Sequence, residues 1–280
     1  MEPIHHISDT ALWVAMYRAE ESDRPDAVFV DPYARRLAGE KGAEIAQAID
    51  FSSRNSWLFV ARTYLFDEIV QQHIAQGVDT IVNLAAGLDT RPFRMNLPAN
   101  LHWWEADLPG MIHYKQAMLV NEEPRCLFQR IALDLADHQE RLAFFEQVNA
   151  RAQRVLVLTE GLMGYLTDEQ AAELATDLSA QPTFHRWAFD LMSPAILALA
   201  QKEMGDFLKD NTELRFAPPQ GELFFEPYGW KPVQSNSFIK TASALRRLHD
   251  KLEEFAAAPE PPIGPKGEFP WSGVCLLERK

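Results

Sequence analysis

The residues best suited to hold a small molecule stand at the ends of apolar runs. Gly87 closes the run in VNLAAGLDT (82–90), Glu105 and Asp107 close HWWEAD (102–107), and Glu160 closes RVLVLTE (154–160). In sheets with helices on both faces, ligands sit beyond the carboxyl ends of the strands. Gly87 permits a sharp turn and close approach of backbone to a ligand. A dinucleotide turn would carry three glycines, as G-x-G-x-x-G. Here Ala85, Gly87 and Thr90 stand near those places. A pyrophosphate needs several bare amides nearby; a nucleoside without phosphates does not.

An acidic residue about 20 positions further on is the second half of such a pattern. Glu105 and Asp107 both answer to it, one as ligand and the other as a helix cap or neighbour. A carboxylate there can accept from both ribose hydroxyls. The pair of sites therefore describes a nucleoside with a free ribose and no pyrophosphate, and S-adenosylmethionine fits that description. Its amino-acid carboxylate needs a cation. Arg62, on a long helical stretch before the first strand, is one.

These residues require a frame of alternating strands and helices. Short apolar runs of strand length occur at DTIVNLA (79–85), LHWWEA (101–106), RCLFQRIAL (125–133), RVLVLTE (154–160) and HRWAFDL (185–191). Helical stretches separate them, which predicts βα units and a mostly parallel sheet. Before them the chain reads helical. Asp9 is a possible cap of the first helix. The 31–49 region, DPYARRLAGEKGAEIAQAI, suggests two short helices broken near Gly39 to Gly42. A long helix is capped by Asn55 or Ser56, buries Trp57, Val60, Ala61, Tyr64, Leu65 and Ile69, and stops at Gly77. The last third predicts a strand at 222–232, a helix at 243–258, a Pro-rich surface loop and a final strand at 272–280. One of the adjacent Trp103 and Trp104 is a candidate to face a pocket.

The 280 residues carry a formal net charge of -13, which disfavours nucleic acid or an anionic membrane as partner. The amino-terminal residues lack a basic start and apolar core. No apolar run approaches the roughly 20 residues that span a bilayer. The two cysteines form no CxxC pair, so neither a disulfide framework nor a zinc site is suggested, and a cytoplasmic location fits. His5, His6, His113 and His185 have no metal-ligand spacing.

Four blocks in order, FVARTYLFDEIV, IVNLAAGLDTRPFRM, WWEADLPGMIHYKQ and LTEGLMGYLTDEQAAEL, resemble the leucine carboxyl methyltransferase family. The likeness is to its bacterial branch of class I S-adenosylmethionine-dependent O-methyltransferases and is strongest over residues 8–190. It implies an α/β, Rossmann-like, doubly wound and mostly parallel seven-stranded sheet with a helical amino-terminal extension and a lid insertion. As a single domain this gives a helical cap (1–77), a cofactor-binding core (78–191) and a lid insertion with carboxyl-terminal strands (192–280). The resemblance implies that Arg62 holds the cofactor's carboxylate, with Arg18 as a further basic residue near it. Ala85 stands where the family often has glycine, and Gly87 matches. Asp107, with Glu105 beside it, matches the acid ending the second strand. Asp134 and Leu135 match the pair flanking the adenine, although Asp134 equally suits a helix cap. Glu160 matches the glutamate near the methionyl amine and the methyl group.

The implied reaction is methyl transfer to an oxygen, with the acceptor a small molecule or a peptide carboxylate. An ionised carboxylate needs no general base, whereas a hydroxyl does. Tyr165 and His113 are the candidates for a substrate-side role. The alternatives are an NAD-dependent oxidoreductase and a non-catalytic S-adenosylmethionine-binding protein. Calorimetry with each ligand separates the first alternative: binding of S-adenosylmethionine without binding of NADH is expected, and the reverse would overturn this reading.

Overall fold

The computed structural model describes residues 7–48, 50–204 and 213–280. His5 and His6 lie outside the described residues. Seven strands form one sheet: β1 (Thr80–Leu84), β2 (His102–Asp107), β3 (Leu127–Ala132), β4 (Val155–Thr159), β5 (Phe184–Met192), β6 (Trp230–Ser237) and β7 (Ser272–Arg279). Their order is β3-β2-β1-β4-β5-β7-β6. β1 to β5 run parallel, and β7 is antiparallel to both β5 and β6. This is the doubly wound, mostly parallel sheet expected from the alternating runs.

Burial explains why β1 and β4 read as unbroken apolar runs. Every residue of TIVNL and VLVLT is buried, because helices cover both faces of the central strands. The edge strand β3 is exposed or half-buried throughout. Trp103 and Trp104 lie fully buried in separate clusters on the two faces of the sheet. Neither faces the cavity described below, since neighbouring strand residues point to opposite faces and both faces are covered.

The amino-terminal helices are α1 (Ile7–Ser22), α2 (Ala34–Ala48) and α3 (Asp50–Ala75). α2 kinks at Gly39, with φ of 60°, as its glycines suggest. Gly77, with φ of 92°, follows the end of α3. Asp9 falls inside α1, and Asn55 and Ser56 fall inside α3, so neither helix begins at the expected cap. After β1 come α4 (Arg91–Arg94) and, after β2, α5 (Pro109–Met118); α6 (His138–Asn149) and α7 (Asp168–Ser179) flank β4. Asp137 caps α6 through the amides of Gln139 and Glu140, and Thr167 forms a capping box with Gln170 on α7.

The last third departs from the sequence pattern twice. The expected strand at 222–232 is a 3-10 helix over Gly221–Tyr228, and β6 starts only at Trp230. Phe224 there packs edge-on to Phe225 and to Phe216, and Phe225 lies tilted against Phe216, an aromatic cluster that alternation along a strand would separate. The expected helix at 243–258 is split into α9 (Phe238–Ala244) and α10 (Glu253–Ala257), with α8 (Pro194–Met204) earlier in the chain. The break falls at Arg246, whose φ is 58°. Its neighbour Arg247 makes two 2.9 Å bonds to the buried carboxylate of Glu21. A tertiary ion pair here overrides local helix preference.

Within the sheet, Glu105 is fully buried, and its carboxylate takes two 2.9 Å bonds from Lys115 and one of 3.2 Å from Arg130. Removing one member of such a group leaves uncompensated charge in the interior. Glu105→Ala is expected to cost about 3–5 kcal/mol of stability, read as a lowered urea midpoint at constant slope.

Candidate active site

A cavity of about 600 Å³ opens at the carboxyl ends of β1, β4 and β5. Strand order reverses between β1 and β4, so this is the switch point at which such sheets bind ligands. Its floor is built by the turn after β1. Ala85 takes φ of 51° and Gly87 of 48°, which swings the chain back over β2. The Gly87 amide donates to Asp107 Oδ2 at 2.6 Å, and Leu108 donates to Oδ1 at 2.7 Å. Burial raises the Asp107 pKa, and these two amide bonds oppose that rise.

The charged wall centres on Arg91, whose side chain is 2% exposed. It donates to Asp67 on α3 at 2.6 Å, to Glu160 at 2.8 Å and to the Thr63 carbonyl at 3.3 Å, and pairs with Asp89 at 3.2 Å. Burial alone would lower its pKa, but Asp89, Glu160 and Asp67 together push it well up. Arg62 is held more loosely, 3.2 Å from Glu160 and 3.4 Å from Asp190. Good charge-assisted bonds are about 2.7–2.9 Å. Arg91 is thus committed to the protein, whereas Arg62 retains donors. Its Nη2 makes no hydrogen bond among the described residues. Gly161 (φ of 73°) leaves room for that guanidinium, since a Cβ there would stand 3.4 Å from Nη1.

Asn83 donates to Asp89 at 2.7 Å, but its buried Oδ1 has no partner among the described residues. Both Asn83 and Arg62 line the cavity. A buried acceptor without a donor costs free energy unless a ligand or water supplies one. The free donor of Arg62 suits a ligand carboxylate, and the free acceptor of Asn83 suits an ammonium or amide.

Arg18, Arg62, Ala85, Gly87, Asp107, Glu160 and Tyr165 all line this cavity. Arg18 bonds Asp31 at 2.9 Å and the Leu88 carbonyl at 2.6 Å, tying α1 to the turn. Glu105 does not reach the cavity; Lys115 and Arg130 hold it inside the sheet. Asp134 is exposed and accepts from the Ala136 amide, and Leu135 packs on the core. Both lie outside the lining, although Leu133 bonds the Asp107 carbonyl and so holds this segment beside Asp107. His113 is exposed on α5 and also outside. Tyr165 has its phenol pKa raised by burial, so it stays protonated near neutrality.

Sequence reasoning does not single out Arg91, Asp89, Asn83 or Asp190. Arg91 and Asp89 lie in LDTRPFRM (88–95), where a charged pair just after a strand end is the available signal. Asp190, at the end of β5, accepts from the Gly161 amide at 2.6 Å, and burial raises its pKa.

Residues 11–179 match the model of the family described as leucine carboxyl methyltransferase. A relative from Frankia alni, provisionally named an S-adenosyl-L-methionine-dependent methyltransferase, is 32% identical over 271 residues, covering 90% of this chain and 89% of that one. One of the same description from Saccharopolyspora erythraea is 32% identical, covering 90% and 92%. Among solved structures, a DUF574 family protein from Streptomyces avermitilis shares the fold, with a TM-score of 0.55 at 10% identity, over 95% of this chain and 97% of that one.

Two substitutions probe this geometry. Ala85→Val places a β-branched residue at positive φ and is expected to cost about 1–3 kcal/mol, whereas Ala85→Gly keeps both fold and ligand binding; urea titration and calorimetry with S-adenosylhomocysteine read the two. Arg62→Ala and Glu160→Ala are each expected to weaken that ligand by about tenfold or more, ~1.4 kcal/mol. Unchanged affinity in both would exclude them from the binding wall.

Proposed function

The chain belongs to the leucine carboxyl methyltransferase family, and from that premise we propose that it methylates a carboxylate oxygen of a small acceptor. It is an S-adenosyl-L-methionine-dependent methyltransferase. The domain reads as one catalytic unit: a helical cap (1–77), a cofactor-binding core (78–191), and a lid with carboxyl-terminal strands (192–280).

The observation that carries the proposal is the pairing of free groups at the switch point. Arg62 offers a guanidinium donor, Asn83 an unpartnered acceptor, and Asp107 a carboxylate beside the glycine turn. These complement the carboxylate, ammonium and ribose hydroxyls of the cofactor. Glu160, held by Arg91, adds negative charge near the ammonium. Arg18 stands nearby as a second cation. Asp134 and Leu135, beside Asp107, complete the adenine end in this reading. The cofactor supplies an activated methyl group on a sulfonium. The protein's task is to align an acceptor oxygen and exclude water.

Tyr165, with its raised pKa, is a hydrogen-bond donor rather than a base, and it orients the acceptor by donating to it. His113, exposed on α5, takes no part. Neither candidate supplies a base for a hydroxyl. A carboxylate, ionised at neutral pH, requires none.

Incubation with methyl-labelled S-adenosylmethionine and the small-molecule fraction of a cell extract tests this. The expected product releases its label as methanol in mild alkali, as methyl esters do. A product whose label resists alkali would point to a hydroxyl or nitrogen acceptor. Binding without any transfer would favour a non-catalytic role.

A further inference from the structure

The cavity changes character beyond Glu160 and Asp190. Its far half, toward β5, β6 and β7, is lined by Ile196 on α8, Phe238 on α9 and Trp271 just before β7, three separated parts of the chain. At its mouth stand Leu199, Phe255 and Phe269, which are 48%, 57% and 40% exposed. Large apolar side chains gathered at the opening of a cavity mark a surface built for an apolar partner. Two acids, Glu203 and Glu260, also line this part, and Glu260 is engaged by the Trp271 indole at 2.7 Å.

The cations divide the same way. Arg18, Arg62, Arg91 and Arg94 line the polar half, and each is paired with at least one carboxylate. Lys240 lines the far half, on α9, and its ammonium has neither ion pair nor hydrogen bond among the described residues. It stands after the carboxyl end of β6, which is parallel to β5, so it lies on the same edge of the sheet as the polar half. A free ammonium on a half-buried apolar wall is a specific anchor for an anion whose remaining surface is apolar.

We propose that the acceptor is an amphipathic monocarboxylic acid. Its alkyl or aryl body fills the far half, and its carboxylate is drawn in by Lys240. The inference rests on the reading of this cavity as a methyl-transfer site. In the reaction an acceptor oxygen forms a bond to the methyl carbon as the carbon–sulfur bond breaks, and that electron pair stays on sulfur. A cation and an anion become a neutral thioether and a neutral ester, with no proton transferred. The ester no longer attracts Lys240, so the ammonium favours substrate over product.

The test is tryptophan fluorescence or calorimetry on the full chain with S-adenosylhomocysteine, using dodecanoate, methyl dodecanoate and acetate as probes. Dodecanoate is expected to bind at least tenfold more tightly than either of the others. Lys240→Gln should bring dodecanoate down to the level of its methyl ester and leave S-adenosylhomocysteine affinity unchanged. Leu199→Glu and Phe255→Glu, at exposed positions that do not threaten folding, should weaken dodecanoate by a similar factor. Equal binding of acetate and dodecanoate, or an unchanged acid-to-ester ratio in Lys240→Gln, would overturn the proposal. Failure of S-adenosylhomocysteine itself to bind would overturn the underlying reading of the polar half instead.

Discussion

The buried guanidinium of Arg91 is the contact on which this site depends. It joins three elements that are remote in sequence: Asp67 and Thr63 on α3, Asp89 in the turn after β1, and Glu160 at the end of β4. Arg94 adds two 2.7 Å bonds to the same Asp67. Burying an arginine is costly unless its donors are met, and here carboxylates and a carbonyl meet them. Glu160 is held in one place as a consequence. Arg62 can then share Glu160 and Asp190 without being consumed by either.

A second link of the same kind brings the amino-terminal helices down onto the turn. Arg18 joins Asp31 to the Leu88 carbonyl, and Thr90 donates to the same Asp31 oxygen at 2.7 Å. Farther along, Arg247 reaches back to Glu21, fastening the chain after α9 to α1. α1, which lines the cavity, is therefore held by buried charged groups both to the turn after β1 and to the chain after α9. Such pairs fix geometry more than they add stability. For an enzyme that must align two reactants and keep water out, fixed geometry is the useful property.

The division of the cavity into a polar and an apolar half follows from the topology. The polar half lies at β1 and β4, where turns bring Gly87 and Gly161 close to the charged groups. The apolar half lies toward β5, β7 and β6, where α8, α9 and the loop before β7 supply the walls.

The sequence by itself determined the sheet, its parallel core and the strand ends that now surround the cavity. Apolar runs of strand length separated by helical stretches leave few other arrangements. Gly87, Asp107, Glu160 and Arg62, each marking a strand end or a helix before one, all line the cavity. The family blocks gave Ala85 its meaning, and the structure shows that alanine at positive φ. Only the tertiary structure separated Glu105 from Asp107. Two like acids, two residues apart, are indistinguishable until Lys115 and Arg130 are seen to hold one of them inside. The same holds for Arg91, Asp190 and Lys240. Whether a charge is consumed by a partner or left facing a cavity depends on segments far away in the chain, and no local pattern carries that information.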